Sequence, residues 1–262
     1  MDSFDSDGVQ IAYIDVPPRP TARAAVPGAD GAPVLLIHGF ASNHVVNWVN
    51  TLWVRTLSEA GYRVIAFDNR GHGQSEKLYE PEAYGADIMA ADGLRLLSHL
   101  GVERADVMGY SMGARIGAFL ALDHPSRVRS LLIGGLGFHL VDGRGLPQGL
   151  AEALEAPPGT PAPNPTAGTF RTFAEQTRSD LRALAACIRC SRQTLSRAEL
   201  SGLDTPTLIA IGRLDTVAGS GQALAALMPN AKAVDLPERD HSTAVGDRLH
   251  RKAVLEFLAQ QR

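Results

Sequence analysis

Short apolar runs recur along the chain and alternate with longer stretches of helical character. The run at 34–37 is apolar at every position, as expected for a strand buried on both faces. The run at 9–16 instead alternates, which is typical of a half-exposed strand. The predicted strands are 9–16, 34–37, 63–67, 105–108, 128–133, 207–211 and 231–236.

Helical patterns fill the intervals between these runs. The main ones are 48–60, 84–100, 111–122, 221–227 and 247–261. Strands and helices that alternate at this spacing predict an α/β fold with a mainly parallel, doubly wound sheet. Turn-forming residues from Asp5 to Gly8 precede the first predicted strand, so we expect an antiparallel pair at one edge of the sheet.

One segment interrupts this alternation. No strand-like run occurs between 138 and 203, and a proline-rich passage at 156–165 excludes a regular helix or a central strand there. Helical patterns follow this passage at 166–177 and 179–190. We therefore predict a core made of 1–137 and 204–262, with a small helical cap inserted at 138–203. Long insertions of this kind often cover a binding site.

Composition narrows the class of protein. The 262 residues, 45% of them hydrophobic and 20% charged, fit one globular domain with a sizeable core. The net charge of -3 gives no basic surplus for nucleic acid. No apolar stretch reaches the roughly 18 residues of a membrane span, and the acidic N-terminus lacks the pattern of a secretory signal. We expect a cytoplasmic protein in which Cys187 and Cys190 are reduced helix residues.

The pentapeptide at 109–113 carries the strongest chemical signal. It reads Gly-Tyr-Ser-Met-Gly, or G-x-S-x-G, between a predicted strand and a predicted helix. A serine on such a sharp turn has a strained backbone and an exposed hydroxyl. Glycines on either side avoid collisions with the neighbouring strand and helix. Ser111 is therefore the candidate nucleophile.

A serine hydroxyl needs a base, and the base needs a group that orients it. His241 follows the last predicted strand, and Asp215 follows the strand before it. Both should therefore lie at the same edge of the sheet as Ser111, and the order Ser, Asp, His is usual for this kind of triad. The competing candidates are His139 for the base, and Asp235 and Asp240 for the acid.

The negative oxygen of a tetrahedral intermediate also needs hydrogen-bond donors. The amide of Met112 lies at the start of the predicted helix, beside Ser111. A second donor should come from the loop after the second predicted strand, and the amide of Phe40 is the expected one. Gly39 allows the backbone to turn there, and His38 is expected to brace the loop.

Five motifs in order resemble those of the α/β-hydrolase fold superfamily, and the resemblance covers nearly the whole chain. They are His38-Gly39-Phe40, the D-x-R-G-x-G-x-S loop at 68–75, the elbow at 109–113, Gly212-Arg213-Leu214-Asp215 and Asp240-His241. The resemblance implies Ser111 as nucleophile, His241 as general base and Asp215 as its orienting acid. It also implies an oxyanion hole formed by the amides of Phe40 and Met112, and a helical cap over the pocket.

The serine at the elbow makes acyl transfer the expected chemistry, because epoxide hydrolases and haloalkane dehalogenases of this fold carry aspartate there. We predict a serine hydrolase, a carboxylesterase without cofactor or metal, acting on a small to medium, mostly apolar ester. The alternatives are a lactonase, a perhydrolase, a non-catalytic receptor, or a carbon–carbon bond hydrolase with a cationic group such as Arg189 or Arg192. Predicted pocket residues are His38, Trp48, Leu136, Phe138 and Phe170.

Overall fold

The computed structural model describes residues 1–145 and 148–261 and places eight strands in one sheet. Leu146 and Pro147, within the predicted cap, and Arg262 lie outside the described residues. The strands are β1 (Asp2–Ser6), β2 (Val9–Val16), β3 (Pro33–Ile37), β4 (Arg63–Phe67), β5 (Ala105–Tyr110), β6 (Val128–Gly134), β7 (Thr207–Gly212) and β8 (Ala231–Leu236). Their order across the sheet is β1-β2-β4-β3-β5-β6-β7-β8.

An antiparallel hairpin lies at one edge of the sheet, as predicted. β1 and β2 are joined by Asp7 and Gly8, whose φ angles are 58° and 84°. Positive φ at both central positions is the signature of a tight turn that matches strand twist. β2 runs antiparallel to β4, whereas every pairing from β4 through β3 to β8 is parallel.

Helices cover the sheet on both faces. The α-helices are α1 (Trp53–Glu59), α2 (Ala86–His99), α3 (Met112–Asp123), α4 (His139–Asp142), α5 (Leu150–Glu155), α6 (Pro165–Gln176), α7 (Leu181–Cys190), α8 (Arg197–Gly202), α9 (Gly221–Ala225) and α10 (Arg248–Ala259). Shorter turns are π-helical at Val45–Val49 and 3-10 at Pro81–Tyr84 and Pro125–Arg127. None of the helices in the described ranges has the length and apolarity needed to cross a bilayer.

Strand residues alternate between two hydrophobic cores. Leu35 and Ile37 of β3 face the core that α2 and α3 cover, whereas Val34 and Leu36 face the core that α1 and α10 cover. Since successive strand side chains point to opposite faces, one apolar run supplies both cores. The predicted fold class, a mainly parallel sheet wound on both sides, is confirmed.

The prediction of one continuous helix at 48–60 was wrong. The chain instead forms a π-helical turn, passes through Leu52 with a left-handed φ of 67°, and then begins α1. Trp48 and Trp53 are fully buried, with their ring centroids 6.5 Å apart. In an unbroken helix, residues five apart point roughly 140° away from each other. The break lets both indoles enter the same core.

Five helices, α4 to α8, and no strand occupy the described part of the segment between β6 and β7. α6 begins where the proline-rich passage ends: Asn164 accepts a hydrogen bond from the amide of Ala167 at 2.9 Å, and Pro165 is the first helical residue. At its other end, Thr177 donates to the carbonyl of Ala41 at 2.9 Å. This contact holds α6 beside the loop that follows β3.

Candidate active site

The tight turn between β5 and α3 presents Ser111. Its backbone has φ 53° and ψ -113°, a conformation that is strained for any residue with a side chain. The two flanking positions have no room for a side chain, so both must be glycine. A Cβ on Gly109 would lie 2.1 Å from the carbonyl oxygen of Gly113, and one on Gly113 would lie 2.0 Å from that of Ile37.

A chain of hydrogen bonds joins three side chains at the carboxyl edge of the sheet. Nε2 of His241 lies 3.0 Å from Oγ of Ser111, and its Nδ1 lies 2.8 Å from Oδ2 of Asp215. The other carboxylate oxygen, Oδ1, accepts the amides of Val217 at 2.8 Å and Ala218 at 2.9 Å. The carboxylate can only accept, so the proton sits on Nδ1 of His241 and Nε2 is free to take the serine proton.

The phenol of Tyr110 ties the elbow to the histidine loop. Its hydroxyl donates to the carbonyl oxygen of His241 at 2.6 Å, and the two rings lie 5.6 Å apart. Tyr110 is the variable position before Ser111 in the G-x-S-x-G motif. The sequence analysis missed this contact, since nothing in the motif specifies a partner for that side chain.

The loop after β3 passes directly against the elbow. A Cβ on Gly39 would lie 3.2 Å from the carbonyl oxygen of Tyr110 and 3.5 Å from Cβ of Ser111. The Gly39 amide donates to Oδ1 of the buried Asn47 at 3.0 Å, which fixes the His38–Gly39 peptide, one residue before the amide of Phe40. Asn47 lies within the π-helical turn, and its role was also missed. Phe40 and Met112 thus flank the serine, and their amides remain the proposed oxyanion donors.

His38 braces this loop from beneath. Its Nδ1–H donates to the carbonyl oxygen of Gly39 at 2.8 Å, and its Nε2 accepts the amide of Asn69 at 2.9 Å. The ring is fully buried, and burial lowers its pKa. A neutral imidazole with both nitrogens engaged links the ends of β3 and β4.

The loop at 68–75 supports the site without entering it. Burial raises the pKa of Asp68, but hydrogen bonds from the ring and amide of His44, both 2.8 Å, help to bring it down to about 2. Arg70 makes two 2.7 Å hydrogen bonds to the buried carboxylate of Asp92. This ion pair takes up the guanidinium of Arg70.

A cavity of about 740 Å³ opens beside Ser111 and His241. The loop after β3, helix α6 and the loops that carry Asp215 and His241 form its walls. Its main lining residues are Phe40, Asn47, Thr169, Phe170, Thr172, Phe173, Gln176, Leu214, Thr216 and Val245. Its lining is largely apolar, with isolated polar groups near the serine, which suits a small organic ligand.

Two of the five predicted pocket residues line a cavity at the serine, and three do not. Phe170 lines the large cavity, and Leu136 lines a smaller one. His38 and Trp48 are fully buried beneath the site. Phe138 packs its ring under the guanidinium of Arg197, 5.4 Å away. Apolarity and proximity in sequence did not show which way these three side chains point.

A smaller cavity, of about 30 Å³, also borders Ser111. Met112 and Leu136 form part of its wall, and three arginines form another part: Arg115, Arg144 and Arg192. Arg189, one of the two cationic candidates from the sequence, instead pairs with Glu155 through two 2.7 Å hydrogen bonds. The contribution of Arg115 was missed, because its helix position alone suggests only packing.

The competing candidates for base and acid make other contacts. Nδ1 of His139 bonds to the carbonyl oxygen of Val217 at 2.9 Å. Asp240 accepts the amide and hydroxyl of Thr243 at 2.8 and 2.7 Å, which shapes the histidine loop. Asp235 lies in β8, away from both cavities as described.

Among the described residues, neither a disulfide nor a cluster of metal ligands is formed. Cys187 and Cys190 are free thiols, and burial raises the pKa of Cys187 to about 12, which keeps it protonated. Within 1–145 and 148–261, no group of three or more His, Cys, Asp or Glu side chains is arranged to hold a metal ion.

Sequence comparison places the first half of the chain among known proteins. A family model described as the alpha/beta hydrolase fold matches residues 32–156. The dihydrolipoyllysine-residue acetyltransferase component of the acetoin cleaving system of Cupriavidus necator is 35% identical over 152 residues, 57% of this chain and 36% of that protein. The 2-hydroxymuconate semialdehyde hydrolase of a Pseudomonas species is 34% identical over 116 residues, 43% of this chain and 40% of that protein. The match therefore spans less than half the length of either relative.

Structural comparison extends the match to the whole chain. A hydrolase from Pseudomonas aeruginosa PA01 superposes with a TM-score of 0.75 and 27% identity, over 98% of this chain and 97% of that one. The chain has the α/β-hydrolase fold, and residues 32–156 match the model of that family.

Proposed function

We propose that this protein is a serine hydrolase that cleaves a carboxylic ester through an acyl-enzyme. The observation that carries the proposal is the unbroken chain of hydrogen bonds from Ser111 through His241 to Asp215, on a strained elbow that opens into a cavity. A nucleophile, a base and an orienting acid within hydrogen-bond reach are the parts that acyl transfer needs.

The first half-reaction moves one proton and exchanges one bond. Oγ of Ser111 bonds to the ester carbonyl carbon while its proton passes to Nε2 of His241. The bond from that carbon to the alcohol oxygen then breaks, and His241 returns the proton to the departing oxygen. Asp215 keeps the proton on Nδ1 throughout and stabilises the imidazolium that forms in between.

Water completes the second half-reaction. It gives a proton to Nε2 of His241 as its oxygen bonds to the acyl carbon. The bond between that carbon and Oγ of Ser111 then breaks, and the proton returns to Oγ. The products are a carboxylic acid and the original enzyme. In both halves the amides of Phe40 and Met112 would receive the negative oxygen, each contributing about 3 kcal/mol if it acts like other oxyanion donors.

The large cavity supports the substrate class, and the names of two relatives fit the type of reaction. A volume of about 740 Å³ with Phe40, Phe170 and Phe173 in its wall suits a medium-sized apolar group. One matched relative is named a hydrolase and another an acetyltransferase component, and hydrolysis and acyl transfer are the two parts of the proposed reaction. A serine, rather than an aspartate, at the elbow favours this chemistry over epoxide opening.

Steady-state hydrolysis of 4-nitrophenyl esters with graded acyl lengths tests this function. The parent should turn over several of them, and Ser111→Ala should lose turnover by about 10⁴-fold or more. Ser201→Ala, an exposed serine on α8, is the matched control and should retain parental rates. Equal hydrolysis by Ser111→Ala and the parent would overturn the proposal. Turnover of lactones or carbon–carbon substrates but of no open-chain ester would overturn the assignment to open-chain esters.

A further inference from the structure

The small cavity beside Ser111 differs from the large one in its charge. Its lining combines the nucleophile and Met112 with the guanidinium groups of Arg115, Arg144 and Arg192. Among the described lining residues there is no carboxylate. Ser111 itself lines both cavities, so a ligand bound at the serine can reach the two of them at once.

Arg115 is the most deeply placed of the three arginines. It lies in the first turn of α3 and is 8% exposed. Its guanidinium donates to two backbone carbonyl oxygens, of Gln193 and, at 3.4 Å, of His139. Neither carbonyl neutralises its charge. Burial, followed by repulsion from Arg192, lowers the pKa of Arg115 to about 10, so it still carries a full charge at neutral pH.

The other two arginines approach from the segment between β6 and β7. Arg192 follows α7, and Arg144 follows α4. Arg192 is partly buried and close enough for its charge to affect Arg115. Arg144 is mostly exposed, 3.9 Å from Asp142, at the rim of the cavity. Three chain segments therefore bring positive charge to one small space, which favours an anionic ligand.

We propose that this cavity binds a carboxylate of the substrate, held by Arg115 and Arg192, while the large cavity holds the apolar part. The inference rests on the proposed function, because it places the anion beside the bond that Ser111 attacks. Planar guanidinium groups match the geometry of a carboxylate and bind it through paired hydrogen bonds. The substrate class is thus an acidic ester with an anionic group on one side of the scissile carbonyl and an apolar group on the other.

Two chromogenic esters of matched size test this assignment. Mono-4-nitrophenyl glutarate carries a terminal carboxylate, whereas 4-nitrophenyl hexanoate is its neutral counterpart. Arg192→Gln should lower kcat/KM for the glutarate ester by about 10- to 100-fold, as expected from the loss of a charge-assisted hydrogen bond. It should change kcat/KM for the hexanoate ester by less than about threefold. Arg189→Gln, an arginine of α7 that pairs with Glu155, should leave both esters at parental values.

An equal fall for both esters in Arg192→Gln would overturn the carboxylate site, and so would parental rates with the glutarate ester. Arg115→Gln is the second variant, with circular dichroism to check its fold, because Arg115 also joins α3 to the carbonyls of His139 and Gln193. A folded Arg115→Gln protein should show the same selective loss on the charged ester. If a folded Arg115→Gln protein loses kcat/KM equally for both esters, Arg115 only holds α3 against the neighbouring carbonyls, and its part in the proposal is overturned.

Calorimetric binding of glutarate to Ser111→Ala separates this inference from the proposed function, since it requires no turnover. Binding that Arg192→Gln abolishes in the Ser111→Ala background supports the anion cavity even if no ester is hydrolysed. Normal Ser111-dependent hydrolysis of the hexanoate ester without any glutarate binding would overturn the anion cavity and leave the serine hydrolase intact.

Discussion

Tyr110 connects the strained elbow to the loop that holds the proposed base, through one partly buried hydrogen bond. Because its hydroxyl donates to the backbone of His241 rather than to the ring, it fixes where the imidazole lies without taking part in proton transfer. Asp215 bonds to the ring itself, and two amides hold its own carboxylate in place. Tyr110 and Asp215 therefore orient His241, whereas Ser111 is the proposed group that attacks the substrate.

Tyr110→Phe should lower kcat by about 3- to 10-fold with little change in KM, because one net hydrogen bond of about 1 kcal/mol that positions His241 is lost. The exposed Tyr79 donates to Asp180 on the surface, so Tyr79→Phe is a matched control and should retain the parental kcat. Steady-state kinetics on one 4-nitrophenyl ester measures both variants. A parental kcat for Tyr110→Phe would remove its positioning role.

Asp215→Asn should lower kcat by roughly 10³- to 10⁴-fold, because an amide can hold the histidine in the tautomer that cannot accept the serine proton. The neighbouring competitor, Asp240→Asn, should lose less than about tenfold, since its carboxylate bonds to Thr243 rather than to the ring. The ratio of the two kcat values decides between the two acids. The reverse ranking would assign the orienting role to Asp240.

At the scale of elements, α6 forms the wall of the large cavity that faces the serine. Thr169, Phe170 and Phe173 all contribute to that wall, and the ring of Phe170 lies 6.3 Å from that of Phe40. The sequence showed a helical pattern here and an apolar face, but it did not show which neighbour the face would meet. Phe138, equally apolar, packs against Arg197 instead.

Phe170→Ala should shift acyl-chain preference toward longer esters, because removing the ring extends the cavity. The ratio of kcat/KM for 4-nitrophenyl decanoate to that for the butanoate should rise by about 10-fold, as a few additional methylene groups find room at about 0.8 kcal/mol each. Phe138→Ala is the matched control and should leave this ratio unchanged. An unchanged ratio in Phe170→Ala would show that α6 does not limit the length of the substrate.

At the scale of the whole molecule, buried histidines make folding sensitive to acid. Burial lowers the pKa of His72 to about 3 and that of His250 to about 4. Below pH 6.5 the unfolded chain binds protons at these positions while the folded protein does not. Their stabilising contribution is therefore complete above pH 6.5 and is lost as the pH falls toward 4 and then 3.

The free energy of unfolding should consequently fall between pH 6.5 and 4, by roughly 1.4 kcal/mol per pH unit for each of these histidines. Urea titrations at several pH values measure this slope. His250→Gln should reduce the slope by about one such increment. A parental slope in His250→Gln would contradict the account of a buried neutral His250.

Much of the fold and of the candidate site could be predicted from the sequence. The features that could not be predicted depend on packing and on side-chain directions. Continuous apolar runs fix parallel strands, and the loops after them must meet at one edge, which is why Ser111, Asp215 and His241 could be expected together. The break at Leu52 could not be predicted, because it depends on two indoles competing for one core. The roles of Tyr110, Asn47 and Arg115 depend on side-chain directions that neither periodicity nor motif specifies.

The most direct test of the central claim is to trap the covalent intermediate. Intact-protein mass spectrometry after a fluorophosphonate reaction, followed by peptide mapping, should show one adduct, on Ser111. Asp215→Asn should form it more slowly, and Ser111→Ala should form none. An unmodified parent, or an adduct on another residue that persists in Ser111→Ala, would contradict the account.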